Sequence, residues 1–146
     1  MEQNRKQLRI SSLIVLLFAA VTLVQIISEV LFGDLESAVI PEGAPENILL
    51  ITQIVLLVIS LVLLLPQIYV GLKGLKVAKT PNSSKGHIVW AIILLAISIL
   101  NMITPVVDIV KGGNAFDNLS SFFSYLLEAT IFFEYIRYAR AVAKGN

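Results

Sequence analysis

The chain has 146 residues, of which 57% are hydrophobic and only 14% charged, with a net charge of +1. A soluble domain carries about 25% charged residues because its surface faces water, so this composition, with a mean hydropathy of +0.86, excludes an ordinary soluble fold. The absence of cysteine excludes disulfides, thiolate nucleophiles and zinc–thiolate sites; the net charge alone says nothing about nucleic acid, but the basic residues flank the apolar runs without aromatic platforms or a nucleic-acid fold.

Four apolar runs, at about 10–32, 48–72, 88–110 and 116–138, each approach the ~20 residues needed to cross the hydrocarbon. They predict an all-α, polytopic membrane protein: a single domain, 1–146, of four transmembrane helices in an antiparallel up-down bundle. The joining segments are an outer loop at 33–47, a cytoplasmic loop at 73–87 and a tight outer turn at Lys111-Gly112-Gly113-Asn114. Of the 11 Lys and Arg, all but Lys111 fall at the N-terminus (Arg5, Lys6, Arg9), in the second loop (Lys73, Lys76, Lys79, Lys85) or at the C-terminal end (Arg137, Arg140, Lys144). Basic flanks are retained inside, which predicts that both termini and the second loop are cytoplasmic, in the membrane of a bacterial cell.

The first run follows a basic flank as a signal peptide does, but it passes Ala19-Ala20 and continues to Phe32, well beyond the ~7–15 residues of a secretory core. It reads as an uncleaved helix. The outer loop after it carries Asp34, Glu36, Glu42 and Glu46; acids collect outside once basic residues are kept inside.

The second run contains Pro66, whose missing N–H frees a carbonyl one turn earlier and predicts a kink. Its helical period continues through Lys73, Lys76 and Lys79, which fall along one side, and Thr80-Pro81 ends it. These lysines, with Trp90 and Tyr138, are expected to face lipid headgroups, and Tyr69 and Tyr135 to share that depth. Gly71, Gly74 and Ala78 form a small face suited to close helix packing in a membrane. In the third run Pro105 predicts a second disturbance near Asn101. His87, the only histidine, reads as an interfacial residue without the companions a metal site needs.

Polar residues within the spans gather toward the outer side. Gln25 and Glu29 lie in the first, Gln53 in the second, Asn101, Thr104 and Asp108 on one face of the third, and Ser121, Tyr125 and Glu128 on one face of the fourth. Below them 13–21, 54–65, 88–97 and 129–133 are apolar apart from Ser60. A water-filled pore carries polar groups through its full depth, so the pattern favours an outward-facing pocket over a monomeric channel. Its expected lining is Glu128, Asn101, Gln25, Gln53, Tyr125, Asp108 and Glu29.

Glu128 is the most informative of these. At ~1.5 Å per residue it lies about 18 Å from Phe116 and about 13 Å from Arg137, close to mid-membrane. An ionised carboxylate there costs at least ~2.5 kcal/mol. It is expected to be protonated, hydrogen-bonded to Gln25, Gln53 or Asn101, or paired with a solute; as a structural element it would serve as interhelical glue. Glu134 is accounted for by Arg137 three residues on, and Asp108 by Lys111.

No catalytic signature occurs: the sequence has no H-E-x-x-H, no G-x-S-x-G and no phosphate-binding G-x-x-x-x-G-K-[ST]. His87 and the serines 120, 121 and 124 belong to opposite sides of the membrane, and Glu128 has no second acid at its depth. The expectation is a non-enzymatic protein without metal or cofactor, whose partners are the lipid bilayer and a second copy of itself or another membrane protein. A small, dimeric transporter or binding protein for a cationic or protonatable solute is the alternative.

Overall fold

A computed structural model describes residues 2–32, 46–80 and 85–145, and within 29–32 and at 46 and 49 the backbone alone. The described chain is helical: α1 (Glu2–Phe32), α2 (Glu46–Lys79), α3 (Gly86–Asn101), α4 (Ile103–Val110) and α5 (Ala115–Ala143). Helices α3 and α4 follow one another with only Met102 between them. Three stretches, Glu2–Ser28, Leu50–Lys79 and Gly86–Val110, are long and apolar enough to cross a membrane. Helix α5 has the length, but it spreads Asp117, Glu128, Glu134 and Arg137 along that length.

The helices outrun the apolar stretches. Helix α1 begins at Glu2 rather than near 10, α2 reaches Lys79 and α5 reaches Ala143. Polar residues beyond the hydrocarbon are good helix formers (Glu, Gln, Lys, Arg), and nothing in 2–9 breaks the backbone ladder.

Contacts divide the chain into two compact units, residues 1–16 with 66–146, and residues 17–65. In the second unit Ala19 and Leu64 are the enclosed positions, while Leu17, Val24, Leu50 and Leu63 present apolar surface outward. Thr52 satisfies its hydroxyl on the Ile48 carbonyl, one turn back.

The first unit contains the core. Leu8, Ser12 and Val15 of α1 are buried at helical spacing, as are Gln67, Val70, Gly71, Gly74 and Val77 of α2 and Phe132, Tyr135, Ala139 and Val142 of α5. His87, Ile88 and Ala91 complete it from α3. Two glycines permit the approach of α1 and α2. A Cβ at Gly71 would stand 2.6 Å from Leu16 Cγ, and one at Gly74 would collide with Ser12 Oγ and stand 2.5 Å from Tyr135 Cε2. Neither space admits a side chain.

Two hydroxyls in this core are satisfied by backbone carbonyls. Ser12 donates to the Leu8 carbonyl at 2.6 Å, and Tyr135 donates across to the Val70 carbonyl at 2.9 Å. The rings of Tyr135 and His87 turn inward: both are buried, at 0% and 2% exposure, edge-to-face at 6.0 Å. The aromatic-belt rule gives depth along the helix and leaves open which way the ring turns. At the same end Arg5 donates from Nε to Ala78 O at 3.0 Å and from Nη2 to Lys79 O at 2.5 Å. A guanidinium on the last carbonyls of α2 meets the negative end of the helix dipole.

These contacts set expectations for unfolding in detergent. Gly74→Val overpacks the contact and is expected to cost about 1–3 kcal/mol. Tyr135→Phe removes one hydrogen bond and costs about 1 kcal/mol. Arg5→Ala uncovers the α2 terminus at a cost of about 1–2 kcal/mol. Wild-type stability for all three would refute the packing described.

Candidate functional site

The polar face of the third predicted span sits where the backbone is interrupted. Pro105 lacks an N–H, so the ladder cannot continue through Asn101. The structure breaks at Met102, whose N–H is shared between Ser98 O and Ile99 O at 3.3 Å each. Helix α4 then carries Thr104 and Asp108 to the turn at 111–114. There Gly112 adopts φ +88°, a left-handed conformation that costs an L-residue roughly 1–2 kcal/mol. Gly113 donates to Asp108 O at 2.8 Å, and a Cβ on it would lie 2.9 Å from that same oxygen.

Asn114 starts α5. Its Oδ1 accepts from Phe116 N at 3.1 Å and its Nδ2 donates to Asp117 Oδ2 at 2.7 Å. Asn118 Nδ2 donates to Asn114 O at 2.9 Å, and Ser121 Oγ to Asp117 O at 3.0 Å.

Between the two arms of this hairpin lies a recess of about 210 Å³ lined by Asn101, Thr104, Pro105, Asp108, Asn118, Ser121 and Tyr125. Three of the residues expected at the pocket, Asn101, Asp108 and Tyr125, thus line one recess. It is shallow: Asn101, Thr104, Asp108 and Ser121 are all exposed. Asp108 makes no ion pair among the described residues, so the expected pairing with Lys111 is absent.

Glu128 stands apart from that lining. Three residues beyond Tyr125 on α5, it is half-buried, with Ser98 of α3 as a neighbour. Ser98 is itself buried and donates to Leu94 O at 3.0 Å. Of the expected partners Gln25, Gln53 and Asn101, only Asn101 is on α3; Ser98 stands nearly a turn earlier, on the continuous part of α3 before the break.

Gln25 and Gln53 belong to the second unit, Gln25 exposed and Gln53 half-buried. The side chain of Glu29 lies outside the described residues. Of the positions expected at headgroups, Lys76, Lys79 and Trp90 are exposed, while Lys73 and Tyr138 are half-buried. The Arg137 guanidinium lies 5.6 Å from the Tyr138 ring centre. Glu134 accepts from Arg137 at 3.4 Å, an i,i+3 pair as the spacing predicts.

Sequence reasoning missed Asn118 and Ser98. A signal for Asn118 existed: it is three residues before Ser121 and seven before Tyr125, hence on their face of α5. Ser98 is a lone hydroxyl in an apolar run, which carries no signal. Comparison with protein-family models, with curated proteins and with solved structures finds no match to this chain.

Because the turn holds the two arms together, Gly112→Ala is expected to destabilise the hairpin by about 1–2 kcal/mol and Asn114→Ala by about 1 kcal/mol. Chemical denaturation followed by circular dichroism measures both. If neither variant differs from wild type, the turn does not hold the recess.

Proposed function

We propose that the chain is a non-enzymatic integral membrane protein with an accessory or interaction role. On this reading it has four antiparallel spans in a bacterial cytoplasmic membrane, with both termini inside. The observation that carries it is the contrast between the two ends of the first unit. The end bearing the basic residues closes on itself around Gly74 and Tyr135, while the opposite end presents an exposed recess of hydrogen-bonding side chains. Such a surface suits capture of a partner from outside, and the small chain offers no convergent set of groups for chemistry. The orientation rests on the distribution of Lys and Arg. Helix α5 serves as the fourth span because its mid-length acid is half-buried against Ser98 rather than turned wholly to lipid.

The partner is another membrane protein or a second copy of the chain. Affinity purification from native membranes is expected to recover a stoichiometric companion, or a homodimer, through contacts that Tyr125→Ala weakens. Recovery of the monomer alone from mild detergent would overturn this. Topology is tested separately: a single cysteine at 114 is expected to react with an impermeant maleimide on intact cells, and one at 85 only after lysis. The opposite pattern would invert the orientation.

A second reading, a small dimeric transporter or binding protein for a cationic or protonatable solute, is favoured by one specific observation. Asp108 meets no cation among the described residues, and Glu128 lies below it on α5. For that reading Asp108→Asn and Glu128→Gln each abolish solute-dependent proton movement in proteoliposomes while leaving helix content unchanged. Wild-type flux in both variants, or none in the wild type, leaves the interaction role standing.

A further inference from the structure

Lys85, Arg140 and Lys144 are far apart in the sequence, and the packing of α3 on α5 brings them to one groove of about 480 Å³. The rest of its wall is apolar. Ile88, Val89 and Ile92 follow Lys85 along one face of α3, and Ala143 faces them from α5. Val89 is 57% exposed and Ile92 40% exposed, so the apolar strip lies open beside the charges. No carboxylate lines the groove. Among the described residues none of the three cations makes an ion pair, and the pair on this part of α5 joins Glu134 to the neighbouring Arg137. Lys85 is also the residue at the start of α3, and its side chain gives that helix no cap, so the positive end of the helix dipole adds to the same field. On the other side of Arg140 and Lys144 a second recess of about 380 Å³ repeats the pairing of cations with hydrocarbon, here Arg137 with Phe133 and Ile136.

We infer that this groove is a binding site for one anionic phospholipid. Its phosphate sits among Lys85, Arg140 and Lys144, and the first part of an acyl chain lies along Ile88, Val89 and Ile92. The argument is complementarity of two kinds in a fixed order. Three unneutralised cations stand at the helix ends, and an uninterrupted apolar strip leads away from them toward the middle of α3. A phospholipid has that order of charge and hydrocarbon; an acidic protein segment or a soluble phosphate has the charge alone. Arginine supplies a bidentate fork for phosphate and the lysines supply point charges. Basic pockets between transmembrane helices are a recognised setting for anionic headgroups. The inference shares with the proposed function only the premise that the helices lie in a bilayer.

The test uses the full chain in nanodiscs of phosphatidylcholine mixed with phosphatidylglycerol, released for native mass spectrometry. Wild type is expected to retain one phosphatidylglycerol in preference to phosphatidylcholine. Lys85→Gln, Arg140→Gln and Lys144→Gln each lower that retention about fivefold, the equivalent of one cation at an anionic membrane surface. Ile92→Asn lowers it without touching a charge. Lys111→Gln, at the other end of the α3–α4 segment, leaves it unchanged. Circular dichroism confirms helix content for each variant, and incorporation into nanodiscs monitors membrane residence independently. Equal retention of the two lipids, an unchanged signal in all three cation variants, or an equal loss in Lys111→Gln would overturn the site. Displacement of the lipid by glycerol 3-phosphate would also overturn it, by showing a soluble phosphate as the occupant. So would insensitivity to Ile92→Asn, which marks a headgroup-only surface that a protein's acidic segment could equally use.

Discussion

The first unit depends on one close approach, the meeting of Ser12, Gly74 and Tyr135. In a bilayer, helices gain nothing from hiding apolar surface, because lipid tails are as apolar as leucine. They associate through dispersion at short range and through hydrogen bonds that lipid cannot offer. Gly74 supplies the first, since even a methyl group there would collide with Ser12 Oγ and the Tyr135 ring. The Tyr135 hydroxyl supplies the second by bonding the Val70 carbonyl. Three helices are joined at one point, and the buried faces of α1, α2 and α5 run on from it at helical intervals. Arg5 adds a tie between the start of α1 and the end of α2, so the basic residues that read as orientation signals also hold the end together.

How far the sequence disclosed this differs by level. The apolar runs disclosed the helices because an unbroken length near 20 residues is what crossing the hydrocarbon demands. The full helix lengths were hidden: the hydrophobic signal stops at the lipid boundary, and a helix of Gln, Lys and Arg does not. Gly71 and Gly74 were legible as a small face, but Ser12 and Tyr135 as their partners were not, since pairing across helices is a tertiary fact. Tyr135 and His87 show the limit of reading depth alone. Both were placed by depth alone, and both turn inward.

The recess was half legible. Asn101, Thr104 and Asp108 recur at helical spacing, and so do Ser121 and Tyr125. The four-residue turn made the two faces neighbours in chain order. Pro105 announced a disturbance near Asn101, and the break falls at Met102, between the shallow group and Ser98; what spacing could not supply was that Ser98, before that break, neighbours Glu128. Glu128 is not among the residues that line this recess. Gln25 and Gln53, grouped with them by depth, belong to the other compact unit.

Counting polar residues in a span overstates the chemistry they offer. Ser12, Thr52, Ser98, Ser121 and Thr130 each donate their proton to the carbonyl four residues back, the usual way a helix in lipid quiets a hydroxyl. A hydroxyl so engaged keeps its lone pairs and can only accept. In the recess this applies to Ser121, while Asn118 has already committed an amide proton to Asn114 O. Asp108, when ionised, accepts only. The recess thus presents acceptors at Asp108 and Ser121 beside donors at Asn101, Thr104, Asn118 and Tyr125. At the opposite end of the same hairpin stand Lys85, Arg140 and Lys144. The same hairpin therefore carries a mixed hydrogen-bonding surface at one end and a cationic one at the other.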